Sequence, residues 1–194
     1  FYYHLVLLAE NNKGYDNLIK IVSYGFKDGF YYKPRVDIEL LEKYHEGIIA
    51  LSACLAGPVA RTIIRQGYDK AKEVALRYNN IFGENNFFLE LQDHMDGSVD
   101  QQTVNQSLMR MHQETGIPLV ATNDCHYISP EDAEAHDILL CIQTNTTVDE
   151  ADRMRYEGGQ YYVKSPEEMY SLFPYAHQAC ENTYKIAQRC NVEF

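Results

Sequence analysis

Asp124 and His126 are the sharpest chemical pair in the chain. In extended backbone, residues spaced i, i+2 project from the same side, so this carboxylate and imidazole can reach one metal ion. The tripeptide also suits a plainer role, with Asp124 capping the turn and His126 pairing with it. Cys54 follows the apolar run at residues 47–52. There a thiolate could bind a borderline or soft ion, and a neutral thiol could simply fill core space. His4 precedes its apolar run HLVLL instead of following it, which argues for a structural histidine. Asp93-His94 reads as a solvated pair in a polar loop, and His136 as either a donor to a neighbouring ligand or a core residue. His45, His112 and His177 read as surface residues. Thiol, carboxylate and imidazole together are a donor set of mixed hardness, suited to zinc, manganese or iron and unlike an all-oxygen magnesium cage.

Positioning these groups requires a framework, and the apolar pattern supplies one. Residues 4–8, 47–52, 87–91 and 117–122 read as short buried strands. Between them, helical periodicity runs from Tyr15 to Phe26, from Asp37 to Tyr44, over residues 59–64 and 69–82, and around Val104, Leu108 and Met111. Ser129-Pro130-Glu131-Asp132 and Ser165-Pro166-Glu167-Glu168 are strong helix starts, with serine as cap, proline next and acids in the first turn. A last helix spans residues 175–190. Strands separated by helix-length crossovers predict an α/β fold with mostly parallel strands. Four such strands make half a barrel or a small open sheet, and a chain opening inside an apolar run points to the half barrel. Sites in such folds lie at strand carboxyl ends, which is where Cys54, Asp93-His94 and Asp124-x-His126 fall.

Composition narrows the function classes. The 194 residues carry 17 basic and 28 acidic side chains, a net charge of −11, so the chain is no general nucleic-acid clamp. Five irregularly spaced cysteines without a CxxC pair point to a reducing compartment and a cytoplasmic protein, and exclude a zinc ribbon. No apolar run is long enough to span a bilayer. GxxxxGKS, GxGxxG and GxSxG are all missing. The cations are grouped locally: Lys33 and Arg35 follow Phe30-Tyr31-Tyr32, Arg61 and Arg65 share a helical face, and Arg153 and Arg155 sit in a polar loop. Basic residues interleaved with aromatics can stack bases and hold phosphates, and each pair can equally form surface salt bridges.

The runs HLVLLAENNKGYDNL (residues 4–18), GFYYKPRVD (29–37), LSACLAG (51–57), FLELQDH (88–94), GIPLVATNDCHY (116–127), EDAEAHDILLCIQT (131–144) and SPEEM (165–169) resemble, in order, the polymerase and histidinol phosphatase (PHP) domain of bacterial DNA polymerase III alpha subunits. The resemblance implies a distorted (β/α)7 barrel around a divalent metal cluster, with zinc the first choice and manganese the alternative. Carried over residue by residue, it makes His4, Cys54, Asp124 and His126 metal ligands, with Asp124 and His126 in the catalytic role. For His4 it implies a strand that begins before Phe1. The family also opens with a His-x-His pair that this sequence lacks. Residues 1–194 are therefore expected to be the later two-thirds of the domain, with the first ligands in about 80 residues upstream. The implied activity is a metal-dependent phosphoesterase, a proofreading 3′–5′ exonuclease, within a chain whose main reaction is DNA-directed nucleotide addition. This segment alone is expected to be inactive. The implied partners are DNA and other replicase subunits. The alternative is an inactive barrel that braces the polymerase or docks a separate exonuclease subunit.

Overall fold

Short apolar runs alternate with capped helices along the chain, and this alternation sets the architecture of the computed structural model, which describes residues 2–194. Among the described residues there are four strands and eight α-helices. In chain order they are β1 (Val6–Ala9), α1 (Asn12–Lys27), α2 (Ile38–Tyr44), β2 (Ile48–Leu51), α3 (Pro58–Gln66), α4 (Tyr68–Phe82), β3 (Phe87–Leu91), α5 (Val99–Thr115), β4 (Leu119–Ala121), α6 (Ala133–Thr144), α7 (Pro166–Leu172) and α8 (His177–Arg189). The cap residues are those expected from local chemistry. The Asp37 carboxylate accepts from Leu40 N–H at 2.9 Å, and Ser165 and Glu168 form a reciprocal capping box. Ser129 and Asp132 form a second box, but over a short 3₁₀ turn (Pro130–Asp132) that leads into α6.

The strands form one sheet in the order β1-β2-β3-β4. Strands β2, β3 and β4 are parallel, as the long crossovers predict. Strand β1 departs from that expectation: it pairs antiparallel to β2, with Val6 opposite Leu51 and Ala9 opposite Ile48. Its link to β2 runs through α1 and α2, and returns the chain on the opposite heading. The sheet ends at β1 and β4 without closing among the described residues.

Period-2 alternation divides the sheet into two faces. Ile48, Ala50, Phe87, Leu89, Leu91, Leu119 and Ala121 join the large core beneath helices α1 to α5, together with Val59, Ala71, Leu108 and Met111. Ile49, Leu51, Phe88 and Val120 point the other way, where Ile186 of α8 covers them. The second face is therefore only partly roofed, and its strand-end half stays open.

Candidate metal centre

The open half of that second face is where the chemistry collects. His4 and Val6 on the β1 side, Leu51 and Ala53 at the end of β2, Glu90 and Gln92 at the end of β3, and Thr122 and Asp124 after β4 alternate in register. They line one cleft of about 440 Å³ together with Cys54. A larger and mostly apolar groove of about 730 Å³ lies between α7 and α8, and none of the residues expected to do chemistry lines it.

The antiparallel course of β1 resolves the difficulty with His4. Because β1 runs against β2, its amino end lies at the same edge of the sheet as the carboxyl ends of β2, β3 and β4. No earlier start to the strand is needed. His4 N–H donates to Ala56 O at 3.1 Å, and His4 Nδ1 lies 3.6 Å from Cys54 Sγ. Nitrogen and sulfur donors that share a tetrahedral zinc, with bonds of about 2.0–2.1 and 2.3 Å, stand about 3.6 Å apart. Cys54 is half-buried and His4 exposed, so the pair faces the cleft mouth and not the core.

Ala53, just before Cys54, and Asp124 both adopt left-handed backbone, with φ of 63° and 46°. Non-glycine residues pay for this conformation, and it persists where the surroundings enforce it. A buried carboxyl group that carries no motif in the sequence does the enforcing at Ala53. Glu90, only 5% exposed, accepts from Ala53 N–H at 2.9 Å and from the Thr122 hydroxyl at 2.5 Å, with Gln92 Nε2 at 3.4 Å. Its own N–H donates to Ser52 Oγ at 2.8 Å. One buried carboxylate thus ties the ends of β2, β3 and β4 together. Burial pushes the Glu90 carboxyl up, against the pull of those donors. The available signal was a lone glutamate inside FFLEL, a strand buried at every position.

Asp124 and His126 do not present themselves as an extended i, i+2 pair. With Asp124 left-handed, His126 turns back so that its Nδ1 sits 2.6 Å from Asp124 O, and its ring packs 4.2 Å from Tyr156 and 5.4 Å from His136. His126 is not among the residues lining the cleft, and its N–H donates to Tyr161 O at 2.7 Å. Asn123 reinforces this clasp by donating to Gln160 O and Tyr162 O, both at 2.8 Å. His136 packs in this aromatic group, and burial and the neighbouring His126 hold its imidazole below the usual value.

His94 corrects an expectation. It is buried and not solvated: its ring stacks on Tyr161 at 4.0 Å, Nε2 meets Asn123 O at 3.1 Å, and burial lowers its pKa. Asp93 does not pair with it; its carboxylate accepts from Met95 N–H in a local turn. His112 is half-buried, its Nδ1 2.7 Å from Ile117 O, and so joins α5 to the approach of β4. Arg153 is an ion-pair residue, holding Asp137 of α6 through two bonds of 2.5 and 2.6 Å. The five cysteines are unpaired.

The donor chemistry and the His4–Cys54 spacing fit a zinc-type ion, with Asp124 on the same wall of the cleft. Among the described residues, however, no three His, Cys, Asp or Glu side chains converge tightly enough to hold an ion alone. The arrangement is part of a donor set and not a closed one.

Comparison with known families gives a direct match. Residues 1–94 match the PHP domain family. The PHP match includes His4, Cys54 and Glu90, while Asp124 and His126 lie beyond it. Over nearly its whole length the chain is also similar to DNA polymerase III subunit alpha of several bacteria. It is 46% identical over 189 residues to that of Borreliella burgdorferi, covering 97% of this chain and 16% of the relative. It is 44% identical to that of Treponema pallidum, covering 98% and 16%, and 42% identical to that of Thermus aquaticus, covering 99% and 16%. The chain spans about 16% of the length of these curated relatives.

Proposed function

We propose that this chain is a segment of a bacterial replicative DNA polymerase, the later two-thirds of its PHP domain, and that the cleft contributes to a metal-dependent phosphoesterase centre. Similarity of 42–46% to DNA polymerase III alpha subunits along almost the whole chain supports the first part. The observation that carries the second is His4 Nδ1 at 3.6 Å from Cys54 Sγ, on the sheet face that Asp124 also lines. The reading makes DNA and the other replicase subunits the partners and the cytoplasm the location. Among the described residues no helix is long and apolar enough to cross a membrane.

In this reading His4, Cys54, Asp124 and His126 hold part of a zinc or manganese cluster. A bound divalent ion supplies an acidified water and neutralises charge on a leaving oxygen. The chain's own contribution is geometric. Glu90 fixes Ala53, and with it the backbone that carries Cys54, while the 160–163 segment clamps the backbone around His126. An acidic chain is suited to handling one phosphodiester in a cleft, and duplex gripping falls to other parts of the polymerase. The proposed reaction is 3′–5′ exonucleolytic proofreading. In the full-length polymerase, Asp124→Ala should cut exonuclease activity by 10²-fold or more and leave nucleotide addition within about twofold. Exonuclease activity equal to wild type would assign proofreading elsewhere.

One observation favours a second reading, an inactive module that braces the polymerase or docks a separate exonuclease subunit: the donors do not close into a site among the described residues. In that case Asp124→Ala would leave every activity unchanged.

A further inference from the structure

The segment between α1 and α2 carries chemistry that the metal cleft does not use. Tyr31 N–H donates to Lys33 O at 3.1 Å, and these two residues pair across a tight turn with Tyr32 at its tip. Tyr32 lies in the left-handed region, φ 61°, and is 85% exposed, so burial does not offset its strain. The loop is held firmly in place. A Cβ on Gly29 would lie 1.9 Å from Arg35 O, so only glycine lets the returning chain lie against the end of α1.

Around the tip the rings form two exposed pairs. Phe26 and Phe30 stack at 6.4 Å, Tyr31 meets Tyr32 edge-on at 4.7 Å, and Phe26, Phe30 and Tyr31 are each more than half exposed. The Arg35 guanidinium lies 4.7 Å from the Tyr31 ring centre, and the Lys33 ammonium 5.8 Å from that of Tyr2. Among the described residues, neither Lys33 nor Arg35 pairs with a carboxylate. On a chain with 28 acidic and 17 basic groups, two uncompensated cations beside exposed rings are a local reversal of charge.

Rings that accept base faces beside cations that accept phosphates form a platform for single-stranded nucleic acid. We infer that the 29–36 loop, with Phe26, binds a short stretch of single-stranded DNA, Tyr31 and Tyr32 stacking on bases and Lys33 and Arg35 holding phosphates. The choice of DNA rests on the polymerase part of the proposed function; the metal centre plays no part in it. The test is photocrosslinking of full-length polymerase to an oligothymidylate carrying 5-iodouracil, with the adducts mapped by peptide. The expected result is an adduct within residues 26–36. Its yield should fall about fivefold or more in the Lys33→Ala/Arg35→Ala variant, which keeps the ring acceptors and removes two phosphate contacts. No adduct in that segment of the wild type, or an unchanged yield in the variant, overturns the inference. Primer extension in the same preparations separates the two readings. Wild-type extension without the adduct sinks the DNA platform alone, whereas no extension by the wild type sinks the polymerase assignment.

Discussion

At the scale of single residues, Glu90 does more for the cleft than any residue expected to be a ligand. It lies among fully buried neighbours, yet it is polar, and its carboxyl oxygens satisfy Ala53 N–H and the Thr122 hydroxyl at two separate strand ends. Removing it would leave both donors without their acceptor, and each orphaned buried donor costs about 1–3 kcal/mol. Glu90→Ala should therefore lower unfolding stability by about 2–6 kcal/mol, measured by denaturant titration of full-length protein. Glu90→Gln, which keeps an acceptor oxygen, should cost less than half as much. Equal losses for the two variants would mean that volume matters and the hydrogen bonds do not. His4, Cys54 and Asp124 were legible as candidates because their types are distinctive. Glu90 was not, because a single acidic letter inside a strand carries no period and no spacing. His94 shows the converse: its polar neighbour in sequence, Asp93, suggests a solvated pair, whereas the chain folds Tyr161 onto it.

At the scale of elements, caps and periodicity were readable because they are local. Asp37, Ser129 and Ser165 all start helical turns through their own side chains, and Phe87–Leu91 is the strand that its run of apolar residues predicts. The heading of β1 was not readable, although the parallel course of β2, β3 and β4 was. A helical crossover normally joins parallel strands, but the α1–α2 pair between β1 and β2 brings the chain back antiparallel, and only tertiary packing decides that. The joint between α4 and α5 is equally non-local and has a pH signature. Glu114 accepts from Lys72 and from the Tyr68 hydroxyl, both at 2.8 Å, and from Arg110 at 2.7 Å. These donors, Lys72 first, hold its carboxyl at about 2, below the ordinary 4.5. A depressed carboxylate stabilises the fold above its unfolded pKa, and that contribution is lost as pH falls through the folded value. Glu114→Gln should therefore melt lower than wild type at neutral pH, with the gap constant above about pH 5 and closing toward pH 2. A gap that is unchanged down to pH 2 would show that the ion cluster contributes nothing.

At the scale of the whole molecule, the sheet has a braced end and a chemical end. At the braced end Arg189 of α8 bonds to Glu10 Oε1 at 2.9 Å, to Asn85 O at 2.6 Å and to Asn86, and Asn191 N–H donates to Glu10 O at 2.9 Å. At the other end, α8 leaves the second face open where His4, Cys54, Glu90 and Asp124 line the cleft. The acidic balance of −11, which alone argues against a general nucleic-acid clamp, is compatible with one small local patch of rings and cations. The α/β class was legible, since alternating strand and helix signals are spread along the chain. The barrel that the resemblance implies is not shown: the described strands form one open four-stranded sheet, and closure is a property of the ends of the sheet and of no single segment. The most direct measurement is elemental analysis of full-length polymerase purified without added metal, beside the Cys54→Ala/Asp124→Ala variant. Zinc or manganese at one or more ions per wild-type chain, reduced in the folded variant, is the predicted result. A folded wild-type chain with no bound transition metal would contradict the metal centre outright.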